Sequence, residues 1–348
     1  MAEYKYRHRE QYRGVNIDIK AKTSGDLIAK VEKKKKDIDQ GIVDGSIRLS
    51  VFGRLFLESN KQHTVSASWY RDLGYMLNKI VAGINDRPMD HIKPLHLQNY
   101  LNNLSGSDSS IKKQYDLIMQ IFRHAYINGV TPTDYTIGLV RPHGSPSVTG
   151  RSLTDHERMI LLDVLSGHRG ELFCKIMLYC GLRPSETQAL QWIDVDLKDK
   201  TINVNKSLKP DGSIGEPKTS AAYRTVPIPD HLIPLLKENK EDPFSDLFSH
   251  NYTWRRRMWD SIRRDMNIAM GCQMYRNKLI PPYPLADDFT LYNLRHTYCT
   301  DLEKKGVPIN IASRLMGHSN ISITSKVYTH ASTEALKIAR DLINEFVS

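Results

Sequence analysis

Residues 181–186 read Gly-Leu-Arg-Pro-Ser-Glu, and Gly181 and Pro184 interrupt what is otherwise a helical run over 171–190. Two more short segments lie downstream. One is Leu294-Arg295-His296-Thr297. The other is Leu315-Met316-Gly317-His318-Ser319, with Tyr328 ten residues after His318. Arginine and histidine are donors that hold a phosphate and spread its developing charge, and tyrosine is a side-chain nucleophile. The sequence has no convincing carboxylate constellation for divalent ions, Asp287-Asp288 being an isolated pair. It has no GxxxxGKS/T loop for ATP and no GxGxxG fingerprint. The set suits metal-free phosphoryl chemistry.

Together these segments resemble the tyrosine recombinases, the phage-integrase family of site-specific DNA recombinases. That family carries an arginine in G-L-R-x-S/G-E, a lysine on a β-hairpin, then H-x-L-R-H-T, L-G-H and the nucleophilic tyrosine. Arg183, Arg295, His318 and Tyr328 match directly. Lys218, in Pro217-Lys218-Thr219-Ser220 ahead of Arg224-Thr225-Val226-Pro227, matches the hairpin lysine, and Glu186 the acid that braces the first arginine. Each residue alone also fits a plainer role: a surface arginine paired with Glu186, an exposed strand lysine, a histidine at a helix end, a core tyrosine. Their order, with gaps of 35, 77, 23 and 10 residues, makes the signature specific.

The resemblance implies that Arg183 and Arg295 present planar forks to the scissile phosphate, that His318 adds a donor, and that Tyr328 attacks phosphorus. Lys218 would protonate the leaving 5′-oxygen, and no cofactor is required. One position departs from the pattern. Tyr292 stands three before Arg295, where the family usually has His or Lys. A neutral phenol donates a hydrogen bond to phosphate but is a poor general base near neutral pH. His296, beside Arg295, is the candidate substitute, although in the family it more often buttresses structure.

Around this set the chain reads as mainly α with a small β component. Residues 4–22 alternate Tyr/Val/Ile with basic residues about Gly14, predicting short strands, and 24–40 turn helical with Leu27, Ile28 and Val31 on one face. The segment 1–48 is expected to be a small arm-type DNA-binding module. Four stripes with helical spacing, including Phe52/Phe56, Leu73/Leu77, Leu97/Leu101 and Ile118/Phe122, predict an all-helical bundle over 49–140, which the resemblance implies is the family's core-type DNA-binding domain. Residues 141–150, rich in Pro, Gly and Ser, read as a linker, and 151–348 as the catalytic domain. There Thr154 and Glu157 predict a capping box. Residues 201–228 are expected to hold the β structure, with a turn at Pro210-Asp211-Gly212 and the rest helical. The stripe over 253–271 predicts a helix capped by Thr253 and stopped by Gly271, with Arg255, Arg256, Arg257, Arg263 and Arg264 beside it as DNA-binding candidates. Residues 332–347 predict a last amphipathic helix, packed on its own domain or docked on a neighbouring protomer.

Composition agrees with a polyanionic partner. Lys+Arg number 49 against 39 Asp+Glu, a formal net charge of +10, and 12 of those cations lie in 1–48. No apolar run approaches the ~20 residues that span a bilayer, and the N-terminus lacks an apolar signal region, so a cytoplasmic protein is expected. The four cysteines form no CxxC pair and read as buried thiols, with no zinc site. The resulting expectation is an integrase of a phage or integrative conjugative element. It would work as a homotetramer on core and arm attachment sites, with a directionality factor and a host DNA-bending protein as partners. Two alternatives stand beside it. A non-catalytic architectural DNA-binding protein sits poorly with an intact Arg183, Lys218, Arg295, His318 and Tyr328. A Xer-like chromosome-dimer resolvase sits poorly with the basic module at 1–48.

Overall fold

The structure is a computed structural model that describes residues 4–39, 47–146, 150–217 and 219–328. The chain divides into two units, Met1–Val148 and Thr149–Ser348.

The first unit opens with an antiparallel hairpin, β1 (Tyr6–Tyr12) and β2 (Val15–Ala21), closed where Tyr12 pairs with Val15. Arg13 and Gly14 both have positive φ, the two-residue turn whose twist suits adjacent strands. Alternation along β2 buries Val15, Ile17 and Ala21. Helix α1 (Ser24–Asp39) packs on this strand. Then come α2 (Leu49–Asn60), α3 (Ala67–Ile84), α4 (Pro94–Asn102) and α5 (Asp108–Ile127). Ser66 and Ser107 cap α3 and α5 by accepting the backbone N–H groups of Trp69 and Ser110. The sequence stripes form one core in which Phe52, Phe56, Leu77, Ile80, Ile118 and Phe122 are buried together with Val15, Ile17 and Ile38 of the first segment. Leu95, in the first turn of α4, is exposed.

In the second unit α6 (Asp155–Leu165) begins with the expected capping box of Thr154 and Glu157. Helix α7 (Glu171–Cys180) ends at Gly181, and the four-residue α8 (Pro184–Thr187) starts after Arg183. A three-stranded antiparallel sheet has the order β3-β4-β7, built from β3 (Val195–Asp196), β4 (Thr201–Val204) and β7 (Arg224–Pro227). The hairpin of β5 (Ser207–Leu208) and β6 (Ile214–Gly215) projects between β4 and β7 and turns at the expected Asp211-Gly212. Next are α9 (Ile233–Glu238) and α10 (Tyr252–Ala269). Thr253 does not cap α10. The Asn251 side chain does, accepting the Thr253 N–H at 2.8 Å, because a short amide reaches an N–H two residues on. A further hairpin, β8 (Met274–Tyr275) and β9 (Lys278–Leu279), replaces the expected all-helical continuation. Its turn, Arg276-Asn277, again has two positive φ values. Helices α11 (Leu291–Lys304), α12 (Ile309–Met316) and α13 (Ile321–Tyr328) complete the described chain. The helix expected over 332–347 lies outside the described residues. Phe173, Met177, Ile202, Val226, Met258, Ile262 and Phe289 form the core, each such side chain contributing ~1.5–3 kcal/mol. Among the described residues no helix is long and apolar enough to cross a membrane.

Gly181 holds the break between α7 and α8. Its φ is +68°, and a Cβ there would lie 2.2 Å from Cδ1 of Tyr298. Gly167 has a similar φ of +70° but open space around it. Gly167→Ala is therefore expected to cost ~1–2 kcal/mol for its left-handed backbone alone. Gly181→Ala should cost ~1–3 kcal/mol more, because the Tyr298 ring must move. Urea unfolding midpoints at constant slope give both values, and equal losses would contradict the packing argument.

Candidate active site

Glu186 is the hub. It sits on α8 with a side chain only 3% exposed, and its two carboxylate oxygens accept from two arginine side chains. Arg183 donates from Nη1 to Oε1 at 2.7 Å and from its backbone N–H to Oε2 at 2.8 Å. Arg224, on β7, donates from Nη2 to Oε2 at 2.9 Å. Arg295, on α11, brings Nη1 to 3.8 Å from Oε2.

Further guanidinium protons go to the carbonyls that end two helices. Gly181 closes α7 and accepts from Arg295 Nη1 at 2.6 Å; Met316, the last residue of α12, accepts from Arg295 Nη2. The Leu315 carbonyl accepts from Arg224 Nε at 2.7 Å, and that of Gly317 from Arg183 Nη2 at 2.9 Å. Unsatisfied carbonyls and the negative dipole end of a helix make such termini good cation seats. Gly317 is required there: its φ is +61°, and a Cβ would lie 2.9 Å from Arg224 Nη1.

Three guanidinium groups against one carboxylate leave two positive charges uncompensated. Burial pushes the Glu186 carboxyl up, but the Arg224 hydrogen bond and the charges of Arg224, Arg183 and Arg295 outweigh it and hold it at about 2. Burial, then the Arg183 charge, lower Arg295 to about 9, so it stays charged at neutral pH. Burial, then the charges of Arg295, Arg183 and Arg224, push the His318 imidazole down to about 4. It is neutral at pH 7. Its Nδ1 shares a 2.8 Å hydrogen bond with the hydroxyl of Thr324, which is fully buried on α13 one turn before Tyr328.

Arg183, Glu186, Tyr292 and His318 line one cavity of about 340 Å³, together with Ser185, Ser207, Thr219 and Ser319. Arg295 lies behind this wall, 4% exposed. His296 does not line the cavity. Its ring packs on Gly150, where a Cβ would come within 2.2 Å of Nε2, and burial followed by the Arg295 charge lowers its pKa. Tyr328 ends α13; its side chain, like Lys218, lies outside what the structure describes. Asp288 of the Asp287-Asp288 pair accepts from Arg151 at 2.9 Å, and Arg151 also donates to Glu157 at 2.7 Å.

Of the arginines on α10, Arg255, Arg256 and Arg263 line a second cavity of about 370 Å³. Ser185 and Tyr292 border both cavities. Arg257 and Arg264 are not part of its lining, and Arg264 donates to the Asn277 side chain at 2.6 Å. Sequence reasoning missed Arg224 and Thr324. Arg224 had a signal: it falls two residues before Val226, on the face of β7 that points into the core.

Residues 152–335, more than half of the chain, match the Phage integrase family. The chain is 29% identical over 286 residues to a protein named "Tyrosine recombinase XerC-like" from Caldanaerobacter subterraneus subsp. tengcongensis, covering 72% of this chain and 71% of that one. It is 26% identical to the "Transposase from transposon Tn916" of Enterococcus faecalis, over 49% of this chain and 44% of the relative. In fold it is similar to the Tn1549 transposon integrase, solved in complex with transposon right end DNA. The TM-score is 0.65 at 18% identity, over 87% of this chain and all of that one.

The Glu186 hub is expected to show in the pH dependence of stability. Its folded pKa lies below the ordinary carboxyl value, so its contribution is full above about pH 4.5 and is lost as pH falls through about 2. That gap corresponds to on the order of 3 kcal/mol. Glu186→Gln should be less stable than the native chain at pH 7, and the difference should shrink between pH 4.5 and 2. Denaturant unfolding across this window checks it; a difference independent of pH would contradict the assignment.

Proposed function

The chain belongs to the phage integrase family and is a tyrosine site-specific recombinase that breaks and rejoins DNA strands, and from that premise we propose a role for each residue of the site. The observation that carries the proposal is the excess of guanidinium charge gathered by Glu186 at a cavity sized for a phosphate and its neighbours. Arg183 turns its fork toward a non-bridging oxygen of the scissile phosphate. Arg295, behind the wall, adds charge at short range. His318 accepts the Thr324 hydroxyl proton at Nδ1, so its own proton stands on Nε2 and is donated to the phosphate.

The Tyr328 phenol gives its proton to solvent, and its oxygen forms a bond to phosphorus as the bond to the 5′-oxygen breaks. Lys218 supplies the proton that oxygen needs, since an alkoxide leaves poorly. The product is a 3′-phosphotyrosyl link and a 5′-hydroxyl. The link conserves the phosphodiester, so a 5′-hydroxyl from a partner duplex reverses the step on a new strand without ATP. Tyr292, at the cavity edge, donates to phosphate or orients its neighbours.

The wider reading is integration and excision of a mobile element, in the cytoplasm, by a homotetramer. In this reading 49–140 binds core sites, 1–48 binds arm sites, and the arginines of α10 follow the DNA. A directionality factor and a host DNA-bending protein complete the assembly. The basic charge of the first 48 residues and the arginine-lined cavity beside the site support it.

A nicked suicide duplex tests the chemistry. Tyr328→Phe is expected to bind it like the native chain and to form no covalent adduct on a denaturing gel. A surviving adduct would overturn the nucleophile. The Thr324 contact has its own test. Thr324→Val should slow single-turnover cleavage by roughly threefold to tenfold, the worth of one neutral hydrogen bond, while Thr324→Ser keeps the native rate. Equal rates for Val and Ser would remove Thr324 from the mechanism.

A further inference from the structure

The first unit carries a polar cavity of about 340 Å³ where the end of α3 meets α4. Asn85, Arg87, His96, Asn99 and Asn103 are among its lining residues, and no aspartate or glutamate is. Arg87 Nη1 and His96 Nε2 face each other at 3.1 Å. The other ring nitrogen of His96, Nδ1, accepts the backbone N–H of Lys93 at 3.0 Å as part of the α4 cap.

These two contacts conflict. A ring whose Nδ1 accepts a proton carries its own proton on Nε2. A guanidinium only donates. Two donors therefore meet across 3.1 Å on a wall without a carboxylate. The backbone amide is fixed at the start of α4, so the ring cannot exchange its tautomer without orphaning that N–H. An anionic oxygen seated beside the pair, within reach of both nitrogens, satisfies both donors, and phosphate oxygens accept such charge-assisted bonds well.

We infer that Arg87 and His96 form a phosphate-binding subsite whose occupant is a backbone phosphodiester of the DNA duplex, a proposal that rests on the recombinase reading. The neutral amides of Asn85, Asn99 and Asn103 around it suit the sugar and base edges beside such a phosphate. Free inorganic phosphate shares the chemistry, and the test separates the two.

The test uses the full chain with a random-sequence duplex, and separately with inorganic phosphate. Arg87→Gln removes the charge. His96→Asn keeps an acceptor where Nδ1 stands, so the α4 cap survives, and loses the outward donor. Both variants should keep the native melting temperature and weaken duplex binding by about tenfold each, with less than additive loss in the double variant. Arg87→Gln should also lower the slope of log Kd against log salt by about 0.9, one phosphate contact. Native affinity and slope in both variants would overturn the subsite. Stabilisation of the native chain but not Arg87→Gln by inorganic phosphate, with duplex binding unchanged in both, would assign it to free phosphate and overturn the DNA proposal. A native chain that bound no duplex would sink the recombinase reading, and the subsite with it. A native chain that bound duplex through other residues would sink the subsite alone.

Discussion

One buried carboxylate organises the catalytic unit. Glu186 takes hydrogen bonds from Arg183 and Arg224 and lies close to Arg295. These residues come from the α7–α8 break, the sheet and α11, so the hub also ties three parts of the fold together. Burying several cations is costly unless each is paired and hydrogen-bonded. Here the carbonyls at the ends of α7 and α12 do much of that work, which is why both helices stop at glycines with left-handed backbones. Arg224 donates from all three of its nitrogens, to Glu186 and to the carbonyls of Leu315 and Ala222, which fits a supporting role. Arg183 is the partly exposed member, its side chain 30% accessible at the cavity wall.

The same charge excess shapes the rest of the site. Burial, and then this charge, keep His318 neutral at pH 7. The His318–Thr324 contact then joins the cavity to α13, the helix that ends at Tyr328. The His318 ring and the helix that ends at Tyr328 thus share one buried hydroxyl. Tyr292, half exposed at the rim, borders both this cavity and the arginine-lined one on α10.

Much of the fold was legible because burial leaves a period in the sequence. The stripes of α2 to α5 and of α10 appear where expected, and Thr154 with Glu157 marks the start of α6. Within the site, Arg183 and Glu186 are three residues apart, so their pairing could be anticipated from local geometry. Arg224 was passed over because its role depends on the β4–β7 register, in which it sits opposite Val204. A charge on the inward face of a strand was the available signal. The β8–β9 hairpin escaped notice because each strand has two residues, too few to show alternation. Thr324 matters through a contact six residues away across a turn, which no periodicity records.

The central claim is that the guanidinium charge gathered by Glu186 exists to neutralise a phosphate. Single-turnover cleavage of a suicide duplex with a neutral methylphosphonate at the scissile position tests it most directly. Removing the charge on the non-bridging oxygen removes the need for its partner. Arg183→Ala should be slow on the ordinary phosphodiester, by on the order of 10²-fold, yet cleave the methylphosphonate at nearly the native chain's rate on that substrate. An Arg183→Ala chain equally impaired on both substrates would contradict it.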